Sequence, residues 1–422
     1  MKNGWELKKL GDLFDITSSK RVFESEWKRE GVPFYRAREI VKLAQQGFVD
    51  NELFISEEMF NRYSTNHGIP TEGDMMVTGV GTLGICYVVQ KPDRFYFKDG
   101  NIIWLKKKSE ADSRFVEYAF KSDFLRKQID DSVGATVGTY TIIKAKNTLI
   151  PVPPLPEQQR IVGILDEAFE GIATAKANAE KNLKNARALF ESHLQSVFTR
   201  RSDEVPLSRL ASEITDGDHS PPPKAPTGVP FITISDIVKR TREVDFSNTF
   251  TVPAEYFLKL KPNKKPRVGD ILYTVTGATL GIPVLVKEHR DFCFQRHIGL
   301  IRPNPDTDSA WLTYGLLSPQ VFRQATIGST GAAQKTVSLS VLRGLKLPKL
   351  ALPEQKRIAA RLDSLAAETH RLESIYQQKL VALDELKKSL LYQAFSGQLT
   401  RDNGELIRDN AHNAELTMDN GQ

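Results

Sequence analysis

The chain has 422 residues, past the roughly 250–300 at which a single hydrophobic core stops growing, so two or more domains are expected. Hydrophobic residues at 40% and charged residues at 26% exclude a disordered, collagenous or mucin-like chain. Two cysteines exclude a disulfide scaffold or a Cys-rich zinc site. The net charge of +6 is unevenly spread. Lys+Arg against Asp+Glu is 23 against 21 over residues 1–150, 6 against 6 over 151–200, 20 against 14 over 201–350 and 9 against 11 over 351–422.

The start, Met1-Lys2-Asn3-Gly4-Trp5, leads into charged sequence without an apolar signal core, and nowhere do 18 apolar residues run together. A cytoplasmic protein without a membrane partner is the expectation. Residues 1–150 alternate short β-like runs with Gly and Pro, among them Asp74–Thr78, Ile85–Val89 and Asn101–Leu105. A helix is predicted over Phe115–Ile129. A Pro-rich stop, Ile150-Pro151-Val152-Pro153-Pro154-Leu155-Pro156, then opens a stretch with no proline until Pro206. Its apolar residues recur every three or four positions, the stripe of a long amphipathic helix, with a stutter near Ala179–Leu183.

Residues 201–350 return to the first texture, with β-like runs at Asp270–Thr274 and Ile282–Val286 and a helix over Ala310–Gln324. A second long helix follows, interrupted at Thr369 and ended by Gly397. Pro156 and Pro353 suit first turns, where a missing N–H costs nothing. The predicted partition is therefore 1–150, 151–200, 201–350, 351–400 and a polar tail over 401–422 that is expected to be disordered.

This return is a duplication. Leu155-Pro156-Glu157-Gln158-Gln159-Arg160-Ile161-Val162-Gly163-Ile164-Leu165-Asp166 recurs as Leu352–Asp363, identical at eight of twelve positions, at an offset of 197. Val32–Ile40 matches Val229–Ile237, and Thr82-Leu83-Gly84-Ile85 matches Thr279-Leu280-Gly281-Ile282, both at 197; Gly73-Asp74 matches Gly269-Asp270 at 196. A helix from Glu157 to Thr199 would be roughly 65 Å long and needs a partner for its stripe. The simplest partner is the other copy, in a coiled coil whose interface holds Ile161, Leu165, Ile172, Leu183 and Phe190 against Ile358, Leu362, Leu365, Leu372 and Leu383. Packing of each helix on its own globule, or homodimerisation, would bury the same stripe.

Gly79-Val80-Gly81-Thr82-Leu83-Gly84 fits G-x-G-x-x-G, but a strand-like run follows where a dinucleotide site needs a helix. The repeat also loses the first glycine, so a tight turn is the better reading. There is no Walker A loop, no H-E-x-x-H, no metal-spaced histidine pair and no Asn/Asp-Pro-Pro-Tyr tetrapeptide. Neither Glu26-Trp27-Lys28 nor Glu385-Leu386-Lys387 makes a convincing nuclease site. No catalytic or metal residue is assigned. What remains suits nucleic acid: Lys and Arg neutralise phosphates, and Arg, Asn and Gln read base edges. The candidates in the first globule are Lys20, Arg21, Tyr35, Arg36, Arg38, Lys42, Thr78, Thr82, Lys98 and Asn101. In the second they are His219, Lys224, Lys239, Arg240, Thr276, Thr279, Gln295, Arg296, His297, Gln334 and Lys335. A self-contained DNA-modifying enzyme and a coiled-coil adaptor that binds only protein are the alternatives.

Two variable globules, each followed by a Pro-rich stop, Leu-Pro-Glu-Gln-x-x-Ile-x-x-x-Leu-Asp and a long helix, resemble the specificity subunit of type I restriction-modification systems. The paired Gly-Asp and Thr-Leu-Gly motifs, Asp216-Gly217-Asp218-His219, and Gly331-Ala332-Ala333-Gln334-Lys335 carry the same resemblance. The first half departs from it, reading Gly134-Ala135-Thr136-Val137-Gly138-Thr139-Tyr140 without the Gln. The resemblance implies an α+β chain with two mixed, largely β target-recognition domains joined by two long antiparallel helices in a coiled coil with internal pseudo-two-fold symmetry. Each domain would read one half of a bipartite site in double-stranded DNA, and the coil would set the spacing. Two methyltransferase subunits carrying S-adenosylmethionine would dock on it, restriction subunits using ATP and Mg would join them, and the chain itself would bind no cofactor and catalyse nothing.

Overall fold

The computed structural model describes residues 4–130, 138–199, 203–219, 221–330 and 335–399. The chain forms two compact units, residues 1–180 with 378–422 and residues 181–377. The division falls inside both long helices, Leu155–Thr199 and Leu352–Ser396. Each unit therefore holds one globule and half of each helix, rather than a globule followed by its own rod.

The duplication read from the sequence is repeated in the main sheets, while a two-stranded hairpin, Ile237–Val238 with Glu243–Val244, is found in the second unit where the first has the helix Ala37–Gln46. In the first unit a four-stranded antiparallel sheet runs in the order Phe14–Thr17, Ile102–Lys107, Met75–Thr78, Cys86–Val88. In the second unit the same order is Ala211–Asp216, Ile298–Pro303, Ile271–Thr274, Pro283–Leu285. A three-stranded sheet accompanies each: Phe54–Ile55, Val32–Tyr35, Tyr96–Phe97, and Thr251–Val252, Val229–Ile232, Cys293–Phe294. Central strands such as Met75–Thr78 and Ile271–Thr274 are buried at every position, which explains their unbroken apolar runs. Each unit carries one buried cysteine, Cys86 in the four-stranded sheet of the first and Cys293 in the three-stranded sheet of the second; burial pushes the Cys86 thiol well up and the Cys293 thiol up to about 12.

The single helices expected over Phe115–Ile129 and Ala310–Gln324 are each two. They run Ser113–Lys121 and Asp123–Asp130 in one unit, Ser309–Leu317 and Pro319–Ile327 in the other. A fully buried serine makes each break. The Ser122 hydroxyl donates to Ala119 O and that of Ser318 to Gly315 O, both at 2.7 Å. Pro319 has no N–H to continue the first helix and suits the first turn of the next.

The first turn of each long helix is locked to its globule. Gln158 is 3% exposed; its Oε1 accepts from Asp112 N at 2.9 Å, and its Nε2 donates to Pro153 O at 2.8 Å. Gln355, 1% exposed, accepts from Asp308 N and donates to Leu350 O, both at 2.8 Å. Asp112 and Asp308 cap the helices Ser113–Lys121 and Ser309–Leu317. Two turns on, Asp166 accepts from Tyr118 Oη at 2.5 Å and Asp363 from Tyr314 Oη at 2.7 Å. The repeated Glu-Gln and Leu-Asp of the sequence are thus clamps between rod and globule.

Within each unit the helix halves run antiparallel. In the first, Arg160 donates to Leu399 O at 2.8 Å, and Lys176 pairs with Asp384 at 2.5 Å. In the second, Arg187 pairs with Glu373 at 2.7 Å. The apolar stripe is divided along its length. Ile161, Leu165 and Ile172 are buried in one cluster with Phe115, Leu125, Leu390 and Phe395; Ile358 and Leu362 are buried with Leu194, Phe198 and Trp311. They therefore serve the globule as much as the opposite helix, a correction to a pure coiled-coil seam. Leu183, Phe190, Leu365, Leu372 and Leu383 are only half-buried, and Ala179, Ala186 and Thr369 are the buried positions between them. Small residues there let the backbones approach, so Thr369 lies within the stripe rather than breaking it. Gly397, at φ +75°, ends the second helix, with Leu399 N returning to Gln393 O. Among the described residues no helix is long and apolar enough to cross a membrane.

Gln158→Ala leaves a buried N–H and a buried C=O without partners and should cost about 2 kcal/mol or more. Gln159→Ala, one position along and exposed, should stay within about 0.5 kcal/mol. The urea midpoints of the two variants test this.

Candidate nucleic-acid interface

In both units the same set of loops converges at one end of the four-stranded sheet. Lys98 N donates to Tyr35 O at 2.8 Å, Gly79 N to Asn101 O at 2.9 Å and Tyr140 N to Gly79 O at 3.0 Å. In the second unit Gln295 N donates to Ile232 O at 3.0 Å, Val275 N to His297 O at 3.0 Å and Val337 N to Val275 O at 2.8 Å. One backbone frame thus carries different side chains in the two units.

The first unit gathers Lys20, Arg21, Tyr35, Lys98 and Asn101 on this end. Lys20 N donates to Tyr96 Oη at 2.9 Å, and Ser19 Oγ to Phe97 O at 2.7 Å. Arg21 is mostly exposed and pairs with Asp99 at 3.0 Å. The Lys98 ammonium lies 5.8 Å from the Trp27 ring centroid, a cation–π contact. Arg36, half-buried, and Arg38, exposed, both pair with the buried Glu39, and Arg38 also pairs with Glu52 at 2.7 Å. Burial pushes the Glu39 carboxyl up, but the two guanidiniums outweigh it and hold it below its usual range. Lys42 is exposed on the helix Ala37–Gln46.

In the second unit the loop Asp216–His219 crosses the same end. Lys264 Nζ donates to Gly217 O at 2.8 Å, Tyr256 Oη to Asp218 at 2.5 Å, and Arg296 N to Asp218 O at 3.2 Å. Burial, then Asp218, pushes the Tyr256 hydroxyl up. His219 is exposed, with Nε2 2.7 Å from Asp216; Arg296 and Lys335 are exposed beside it in this frame, and Gln295 and His297 are half-buried. Lys224 stacks over Phe250 at 5.1 Å. Lys239 and Arg240 are exposed on a separate hairpin. Gln334 and the tail 401–422 lie outside the described residues, as do Asp131–Val137 and Gly331–Ala333.

Four threonines divide sharply. Thr78 is fully buried; its hydroxyl donates to Thr82 O at 2.5 Å and accepts from Ile85 N at 3.0 Å. Thr276, 3% exposed, bonds to Thr336 Oγ1 at 3.2 Å. Both hold the frame together and are not surface contacts, which corrects the sequence reading. Thr82 is exposed, whereas Thr279 is half-buried with its hydroxyl out of solvent, so it too is not a surface contact. Thr274, not Thr276, is the counterpart of Thr78: its hydroxyl donates to Thr279 O and accepts from Ile282 N. Gly84 and Gly281 close these turns at φ +67° and +86°, where an added Cβ would meet Ile129 at 2.7 Å or Phe322 at 2.5 Å. The Gly-x-Gly-x-x-Gly stretch is therefore a turn between strands. Asp74 and Asp270 are equally structural. Trp104 Nε1 and Lys107 N donate to Asp74, both at 2.9 Å, and Arg302 forks onto Asp270 at 2.9 and 2.7 Å. Sequence reasoning missed Trp27, Tyr256 and Arg242. The run Lys239-Arg240-Thr241-Arg242 was the available signal for the last. Among the described residues no cluster of three or more His, Cys, Asp or Glu could hold a metal.

Gly217→Ala would push a Cβ into the Phe294 carbonyl. It should lower the thermal midpoint by several degrees, at roughly 2–4 °C per kcal/mol. Gly163→Ala, on an open face of the first long helix, should raise stability by about 0.5–1 kcal/mol. Calorimetry on both variants checks the pair.

The model of the type I restriction modification DNA specificity domain matches residues 2–185 and again 218–380. A putative type I restriction enzyme specificity subunit of Haemophilus influenzae, S.HindORF215P, is 27% identical over 43% of this chain and 46% of that protein. The EcoBI specificity subunit of Escherichia coli is 22% identical over 94% of this chain and 87% of that protein. The fold is shared with a solved chain from work on complex assembly and conformational transition of the type I R-M system. The TM-score is 0.73 at 22% identity, over 94% of this chain and 99% of that one. With two matched copies of the domain on one repeated frame, the chain belongs to the type I restriction-modification DNA specificity family, as a two-domain DNA sequence-recognition subunit.

Proposed function

We propose that each globule reads one half of a bipartite DNA site and that the paired long helices fix the spacing between the halves. The observation that carries this is the repeated loop frame with different side chains on it. Two identical frames give two comparable docking geometries, and unlike residues on them allow two unlike half-sites. Lys20, Arg21, Tyr35, Thr82, Lys98 and Asn101 are the proposed contacts of the first globule. His219, Lys224, Gln295, Arg296, His297 and Lys335 are those of the second. Lys and Arg supply phosphate contacts, and Asn, Gln and Arg supply bidentate base readout. Half-site spacing is then a geometric consequence of the helices.

In this reading the chain is a scaffold without chemistry of its own, working in the cytoplasm. Two methyltransferase subunits dock on the helices and globules and bring S-adenosylmethionine; restriction subunits join that complex and bring ATP and Mg. The names of its relatives, which are specificity subunits of type I restriction enzymes, support this placement.

Binding by the complex with its methyltransferase subunits should weaken steeply with salt. Seven residues inserted in each long helix, after Glu180 and after Gln377, add about 10 Å of rod, or about three base pairs at 3.4 Å each. Mapping methylated sites in cells carrying the lengthened chain should find both half-sites unchanged and the unread spacer longer. Altered half-sites would overturn the ruler.

A further inference from the structure

We propose that the hairpin Ile237–Val244 of the second unit is a sequence-independent clamp on the DNA phosphate backbone, distinct from the loops that read bases. The proposal rests on the DNA-recognition reading above and adds a division of labour within it.

The hairpin pairs Ile237 with Val244 and Val238 with Glu243. Its tip, Lys239-Arg240-Thr241-Arg242, puts three cations in four residues. Arg242 N closes the turn on Val238 O at 2.8 Å. Arg242 sits at φ +56°, the one non-glycine among the described residues with positive φ. L side chains adopt that conformation at a cost that glycine does not carry, so the turn keeps a cation where backbone geometry alone favours glycine. The base of the hairpin is firm. Ile237 is 4% exposed in a core cluster with Ile232, with Val244 packed against it, and Asp245 N bonds to Asp236 O at 2.8 Å.

Charge gives the partner. Among the described residues no ion pair involves Lys239, Arg240 or Arg242. The first unit has a helix, Ala37–Gln46, at the matching place, and its Arg36 and Arg38 are neutralised by Glu39 and Glu52. The globule over 201–350 carries 20 basic against 14 acidic residues, whereas 1–150 carries 23 against 21. Lys239 and the half-buried Arg242 also line one open groove of about 1180 Å³ with Glu191, Gly277 and Lys335, which makes the tip continuous with the proposed reading face, while Arg240 and Arg242 share a second cavity with Glu191 and Glu373 without pairing to either among the described residues. A polyanion fits this surface, and DNA is the polyanion the family recognises.

Phosphate rather than base is indicated by how the side chains are held. His219 is oriented by Asp216 and the Asp218 loop by Tyr256, as base readers must be. Lys239 and Arg240 are exposed, and among the described residues no carboxylate or amide fixes their heads. Flexible cations suit phosphates, which fix register without carrying sequence.

The test uses the full chain, complexed with its methyltransferase subunits, and two duplexes, one with the site methylated in the host and one without. Dissociation constants are measured across a salt series for wild type, Lys239→Gln with Arg240→Gln, and a control with Lys259→Gln and Lys261→Gln. The clamp predicts equal weakening on both duplexes, a log–log salt slope shallower by about 1.8 for two lost contacts, an unchanged preference for the site, and no change in the control. An unchanged slope and affinity would remove the hairpin from DNA. A collapsed preference with an intact slope would make it a base reader, and an equal loss in the control would make binding diffuse; any of these overturns the clamp. If wild type shows no site preference yet the hairpin variant alone flattens the slope, the clamp stands and the recognition reading falls.

Discussion

The architecture hangs on a buried amide at the first turn of each long helix. Gln158 and Gln355 sit where the four orphan N–H groups of a helix start meet a globule's own helix cap. Each bridges the two with both ends of its side chain. Glutamate could accept but not donate, and leucine would strand two backbone groups, so only an amide satisfies the junction. Tyr118–Asp166 and Tyr314–Asp363 add a second point of attachment two turns on. Two points fix a direction, so the rod leaves each globule at a defined angle. A flexible linker in its place would let the distance between its ends fluctuate.

The most repeated residues of the chain turn out to be internal. Gln158 and Thr78 bond to the backbone, Asp166 to Tyr118, Asp74 to Trp104 and the backbone, and their counterparts bond likewise within their own unit. This follows from what a duplicated frame requires. A buried polar group has one or two partners it can reach, and losing either costs the full desolvation penalty, so divergence is suppressed there. The exposed ends of the same loops face no such penalty. Lys98 and Gln295 hold the same backbone position and share nothing chemically, which is how one frame can present two different reading surfaces.

That logic also explains which features the sequence disclosed. Strands such as Met75–Thr78 and the long helices announce themselves because their signals are local: an unbroken apolar run between turns, and a stripe every three or four residues. The Pro-rich stops and Gly397 mark ends for equally local reasons. The break at Ser122 was hidden, because a buried serine in an amphipathic pattern looks like any small residue, whereas the break at Ser318 was legible in Pro319, which ends a helix at the residue before it. The stripe on the helices was visible but its partner was not. Periodicity reports that Ile161 and Leu165 are buried, and cannot say that Phe115 shares the burial with Phe395. Among the candidate contacts, the pairing of Arg36 with Glu39 lies three residues apart, within sight of the sequence. The pairing of Arg21 with Asp99 spans 78 residues and is beyond it. Thr78 and Thr82 differ in burial although both are threonines at a strand end, because the tight turn between them folds one hydroxyl under the other's carbonyl.

The two globules share a frame and differ in electrostatics, and the difference has a cause. In the first, the segment after strand Val32–Tyr35 is a helix whose N-terminal arginines serve a buried glutamate. Those charges are paired with carboxylates of the same globule. In the second, the corresponding segment is a hairpin whose tip cations make no ion pair among the described residues, although Arg240 and Arg242 line a cavity with Glu191 and Glu373. Phosphate contacts add affinity without distinguishing sequences, so a two-domain recognition subunit needs them from at least one domain and discrimination from both. The proposed hairpin clamp would place that affinity on one globule without weakening discrimination by the other.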